Sequence, residues 1–252
     1  MNIAAIYGFV SGSTLFIGAL LGIYLNVSKF ASGVIMAFGS GVLISALTFD
    51  LMQNAFLYGG FYSVSIGFVC GTILFVIGDY LIDNFGGHFR KQGHGNLHVT
   101  RKSKKKIVNS GSAILLGAVL DGIPESLAIG IGLAMGKGVG LSMMVAVFLS
   151  NFPEGISGAQ GMKKAGKSNA YIMSVWGITI ATSVFASVLG YVFFGNASKD
   201  VISGTYSLAA GAILAMIADT MIPEAFEEGG RFVALATALG FYIAFVMSHL
   251  AI

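Results

Sequence analysis

The stretch NSGSAILLGAVLDGIPESLAIGIGLAM (residues 109–135) is long and apolar enough to cross a bilayer, yet it contains two carboxylates, Asp121 and Glu125. A hydrocarbon core of about 30 Å takes roughly 20 apolar residues to cross as a helix. Seven further runs of this kind lie near 3–25, 31–55, 61–83, 138–161, 171–194, 203–224 and 231–251. Backbone groups that face lipid must be hydrogen-bonded within their own segment, so these runs are expected to be helices. The reading is an all-α integral membrane protein of eight transmembrane helices, with residues 1–252 as a single transmembrane domain.

Composition agrees. Of 252 residues, 56% are hydrophobic and 10% charged, and the mean hydropathy of +0.85 is too high for a soluble domain of this length. The first span follows Met1 without a basic leader or a clear small-residue cleavage site, which reads as a retained helix. Cys70 is the only cysteine, which excludes an intrachain disulfide and a cysteine metal cluster. The 36 glycines suit close helix–helix contact, as in GALLG (18–22) and GIGLAMG (130–136).

Charge sets the expected orientation. Lys29, Arg90, Lys91, Arg101, Lys102, Lys104, Lys105, Lys106, Lys163, Lys164, Lys167 and Arg231 all fall in the odd-numbered interhelical loops. Only Lys137 and Lys199, of 14 basic residues, fall elsewhere. The positive-inside rule then places those loops in the cytoplasm and both termini outside it, as in a plasma membrane. The longest loop, about 84–108, holds seven basic residues with His88, His94 and His98. It reads as a topology anchor that can touch anionic lipid, or as a loose metal-collecting segment. It lacks the interleaved aromatics that stack bases, so no nucleic-acid partner is expected.

The carboxylates carry the chemistry. Insertion scales put an Asp at the bilayer centre at a cost of about 2.5–3.5 kcal/mol, so two on one helix need an offsetting partner. Asp121 and Glu125 are spaced i, i+4 and share a helix face; Ser150 and Glu154 repeat the spacing on the next span, with Asn151 one residue round. Consecutive helices run antiparallel, which brings both sets together near mid-membrane. The three prolines, Pro124, Pro153 and Pro223, are each followed by glutamate. Proline cannot donate to the carbonyl four residues back, so the carbonyls of Leu120 and Leu149 lose a donor and each helix bends. Such carbonyls persist at membrane depth where they line a cavity, meet water or bind a cation. Acids without a Lys or Arg nearby repel each other unless protonated or bridged by a metal. The pattern points to a cation site on a transport path, against the plainer alternative of kinked helices with neutral, locally bonded carboxyl groups.

Three other groups of acidic residues are weaker candidates. Asp219, in MIADTMIPEAFEEGG (216–230), is the better candidate there for an exit-side ligand or gate; Glu224 belongs to the same cluster, and Glu227 and Glu228 read as a solvated helix end. Asp50, with Asn54 one turn on, is an entrance ligand or an interfacial polar cap. Asp79 and Asp83 read as ordinary solvated carboxylates closing the third span.

DGIPESLAIGIGLA (121–134), SNFPEGISGA (150–159) and AAGAILAMIADTMIPEA (209–225) together resemble the ZIP metal transporters, the zinc- and iron-regulated-transporter-like proteins, in particular their bacterial GufA-like branch. The resemblance runs over essentially the whole chain, including the His-containing basic loop. It implies a helix-four and helix-five metal centre whose glutamates can bridge two ions, with Asp121, Glu125, Ser150, Asn151 and Glu154 in the ligand places. Two positions depart from the family's usual H-N-x-P-E-G pattern: Asp121 stands in the His place and Gly122 in the Asn place. Exchanging nitrogen for hard oxygen loosens the preference for zinc and admits manganese or iron(II), although zinc binds Asp and Glu well.

The expected function is transport of a divalent transition metal (Zn, Mn or Fe) as substrate by alternating access, with no organic cofactor and no enzyme activity. Partners are membrane lipid and metal cations, and a homodimer is one assembly open to it. The alternatives are a non-transporting metal sensor of the same fold and a cation exchanger. The exchanger fits poorly, since its Pro-Glu copies lie in separate halves of a larger protein, whereas Glu125 and Glu154 lie on adjacent helices.

Overall fold

The computed structural model describes residues 1–25, 27–84, 110–136, 138–195 and 197–250, and these are helical throughout apart from short connections. In chain order the helices are α1 (Asn2–Tyr24), α2 (Lys29–Ala46), α3 (Gln53–Asn84), α4 (Ser110–Met135), α5 (Val139–Lys164), α6 (Asn169–Phe194), α7 (Lys199–Met216), α8 (Ile222–Gly229) and α9 (Phe232–Leu250). A π-helical turn, Leu47–Met52, joins α2 to α3, and a second, Ile217–Met221, joins α7 to α8. Most of the basic loop, with His88, His94 and His98, lies outside the described residues, as does Lys137.

Among the described residues, seven helical stretches are long and apolar enough to cross a membrane, rather than the eight expected. The second and third expected spans run together as one stretch, Lys29–Ile82, of 54 residues. At 1.5 Å per residue a straight helix of that length would measure about 80 Å, far beyond one crossing. The stretch is broken at Gly60, whose φ of 67° and ψ of −169° are not helical. The chain is a multi-pass helical membrane bundle.

Gly60 has a counterpart. Gly230, 170 positions further on, also has positive φ and separates α8 from α9. The same offset relates much else. Ser28 caps α2 by accepting from the Ala31 N–H, and Ser198 caps α7 by accepting from the Val201 N–H. The two π-helical turns coincide, and so do Ala55-Phe56 and Ala225-Phe226. The start of α2 meets the end of α8, with an added Cβ on Gly33 falling 2.6 Å from the Gly229 nitrogen, so the two copies run in opposite directions. The chain therefore contains an inverted repeat, α1 to α3 against α6 to α9, with α4 and α5 between.

Glycine makes the packing symmetric as well. A Cβ on Gly71 would lie 1.9 Å from the Leu208 carbonyl oxygen, and one on Gly240 would lie 2.0 Å from that of Phe38. Leu208 and Phe38 are again 170 positions apart, so α3 packs on α7 as α9 packs on α2. In lipid, where tails are as apolar as leucine, backbone approach of this kind holds helices together. Between the repeats, α4 packs along α6 and α5 along α1.

Asp79 corrects one expectation. It is buried, 5% exposed, and not a solvated helix end. The reason is that α3 lies against α4 there, with Gly78 seated on the Leu120 side chain. The side chain of Asp83 lies outside the described set.

Candidate metal centre

The helices that carry Pro124 and Pro153 stay helical through them, so these prolines sit inside α4 and α5. Asp121, Glu125, Ser150 and Asn151 are all buried, Glu125 only 2% exposed, and Glu154 is half-buried. The Glu125 carboxyl lies within electrostatic range of Glu154 and, more weakly, of Asp121. The three acids that the sequence placed on two helices thus share one interior region. Burial is the largest burden on a charge at Glu125 and the neighbouring acids add to it; a cation between them would offset both.

Neutral oxygens surround these acids. The Ser150 hydroxyl donates to the Val147 carbonyl at 3.1 Å, which uses its proton and leaves its lone pairs for an acceptor role. Asn151 donates through Nδ2 to the Ser11 carbonyl of α1 at 3.2 Å, which fixes the amide and turns its carbonyl oxygen the other way. Gly39 of α2 brings backbone onto this turn: a Cβ there would meet the Ser150 Cα at 3.0 Å. Among the described residues, no three His, Cys, Asp or Glu side chains converge closely enough to hold a metal ion. The acids share a field without sharing a coordination geometry.

Three outer acids are placed differently. Asp219 is exposed on the second π-helical turn. Glu224 of α8 accepts a hydrogen bond from the Ser157 hydroxyl, one turn beyond Glu154 on α5. No local spacing signals that long-range pairing. Asp50, buried on the first π-helical turn, accepts from Ser248 and has His249 in electrostatic range; Asn54 binds its backbone carbonyl at 2.9 Å. The sequence reading did not single out His249. A lone imidazole ending an apolar run was the available signal.

Glycine at 122 also has a structural reading. A Cβ there would meet only the Ser183 hydroxyl, at 3.8 Å, so no backbone contact forbids a larger residue. Its effect is to leave the position next to Asp121, about 100° round the helix, without a side chain that could offer a further ligand.

No family model matches the chain. The chain is similar to the zinc transporter ZTP29 of Arabidopsis thaliana, 25% identical over 241 residues, a match that covers 92% of this chain and 87% of that protein.

Proposed function

We propose that this protein transports divalent transition-metal cations, zinc foremost with manganese and iron(II) as further substrates, through a site between α4 and α5. Asp121, Glu125 and Glu154 supply the charge, and Ser150 and the Asn151 carbonyl supply neutral oxygens. Asp219 acts on the exit side. The observation that carries the reading is the gathering of Glu125, Glu154 and Asp121 in the bundle interior on two proline-bearing helices. Intramembrane acids of this kind mark ion pathways.

The end-to-end similarity to a zinc transporter supports the same class of substrate. The inverted repeat supports alternating access, because two oppositely oriented halves flanking a central site can rock between outward and inward openings. Side-chain rotation of the three acids then completes coordination when the ion arrives. The basic ends of α2 and α5 face the cytoplasm in this reading, following the positive-inside rule.

Time-dependent, saturable accumulation of radiolabelled zinc in proteoliposomes is the expected result. Binding without accumulation would instead identify a sensor. Selectivity gives a sharper expectation. Asp121→His exchanges a charged hard oxygen for a neutral nitrogen and should raise the ratio of zinc to manganese uptake severalfold, in the direction expected for a borderline ligand. An unchanged ratio would remove Asp121 from the ion's path.

A further inference from the structure

We propose that a cavity at the Lys29 end of the bundle binds the phosphate of an anionic phospholipid. The cavity, about 400 Å³, is lined by Ile23, Leu25, Lys29, Gln160, Lys163 and Lys164 among others. It opens where α1 ends at Tyr24, α2 begins at Lys29 and α5 ends at Lys164, at the termini of three membrane-spanning stretches.

The walls are tied to one another. The Lys163 ammonium donates to the Ile23 carbonyl, and Gln160 donates through Nε2 to the Val27 carbonyl at 3.2 Å. An ammonium has three donors, so Lys163 keeps two for a ligand while anchored. Lys29 and Lys164 are near enough to repel each other, and Glu228 attracts both. Glu227 lies in range of Glu228 as well, so two carboxylates stand against the three ammonium groups of Lys29, Lys163 and Lys164, which leaves a surplus of one positive charge at this end of the bundle. The N-terminal end of α2 brings partial positive charge there and the C-terminal ends of α1 and α5 bring partial negative charge, so the lysine ammonium groups, and not the helix dipoles, carry the surplus.

The rim argues for a lipid over a free anion. Tyr24, Leu25 and Phe30 are 71%, 54% and 50% exposed beside the cavity. In a membrane bundle such surfaces lie against acyl chains, so a ligand with a phosphate head and apolar tails satisfies cavity and rim together. Basic pockets between helices at a membrane boundary recognise anionic headgroups in this way. A phosphatidylglycerol phosphodiester has the single negative charge the surplus can hold, whereas phosphatidylcholine adds a cation beside the lysines.

The test uses the full-length protein in detergent, with melting temperature followed during titration of short-chain phosphatidylglycerol, short-chain phosphatidylcholine and inorganic phosphate. Phosphatidylglycerol should stabilise the wild type and phosphatidylcholine should not. Lys29→Gln combined with Lys164→Gln should weaken the phosphatidylglycerol response by roughly 20-fold in half-saturating concentration, about fivefold for each lysine. Lys199→Gln, distant in sequence on α7 and not lining the cavity, should leave it unchanged. If the double variant does not fold, Lys164→Gln alone should show the fivefold weakening. An equal response to inorganic phosphate would make this a free-anion site and overturn the lipid assignment. An unchanged phosphatidylglycerol response in the cavity variants, or equal loss in Lys199→Gln, would reduce the effect to general surface charge and also overturn it.

Discussion

Glu125→Ala and Glu154→Ala should each take zinc uptake in proteoliposomes to background while leaving a folded, membrane-inserted protein. The two effects separate on physical grounds. Glu125 is almost fully buried with two other acids in range, so its removal relieves repulsion and desolvation and does not break a stabilising ion pair. Folding should therefore survive, and Glu125→Gln, which keeps the side chain's shape, should survive best. Uptake should not. Losing even an outer-shell partner of a metal costs roughly 10–100-fold, and losing a direct charged ligand costs at least that. Uptake and melting temperature measured on the same preparations decide it. Wild-type uptake by Glu154→Ala would remove α5 from the site, and collapse of Glu125→Gln would show that the acid serves the fold.

A comparable loss, this time of structure, is expected from a single methyl group. Gly71→Ala and Gly240→Ala each place a Cβ about 2 Å from a carbonyl oxygen of the neighbouring helix, that of Leu208 or Phe38. The obstacle is backbone, so the helices must move apart and lose the contact. Overpacking of this kind costs about 1–3 kcal/mol in general and occasionally more. The upper end is expected where helix association depends on close packing. Gly161→Ala is the matched control, because nothing lies within 4 Å of a Cβ there. It should be neutral or slightly stabilising, since replacing a mid-helix glycine by alanine gains about 0.5–1 kcal/mol. Melting temperatures of the three variants should diverge in sign. A Gly240→Ala protein as stable as Gly161→Ala would mean that α9 does not sit on α2 as described.

What the sequence made legible follows from what is local. Apolar runs gave the spans, and i, i+4 spacing on kinked helices gave Asp121, Glu125, Ser150 and Glu154, because both signals act within a few turns. The break at Gly60 falls between the second and third expected spans, 31–55 and 61–83; its dihedral angles could not be read, since Gly59-Gly60 stands between Tyr58 and Phe61 and a glycine pair admits many conformations. The inverted repeat was hidden for a related reason. Its copies share caps, breaks and small contact residues such as Ser28 with Ser198 and Gly60 with Gly230, while the apolar residues between them are interchangeable in lipid. Asp79 was misread because burial depends on the helix across from it. The pairings of Ser157 with Glu224 and of Asp50 with Ser248 join helices far apart in sequence, and local spacing does not encode them.

X-ray absorption at the zinc edge, on purified protein loaded with zinc, reads the ion's ligands themselves. With Asp121, Glu125, Ser150, Asn151 and Glu154 as the site, the first shell should contain oxygen only, at about 2.0–2.2 Å, without the outer-shell scattering that an imidazole ring adds. Asp121→His should introduce one imidazole into that shell. Imidazole scattering in the wild-type protein would place the ion elsewhere, on a histidine such as His249 or in the basic loop, and sulfur near 2.3 Å would place it on Cys70. A shell unchanged by Asp121→His would contradict the assignment of α4 as the helix that carries the first ligand.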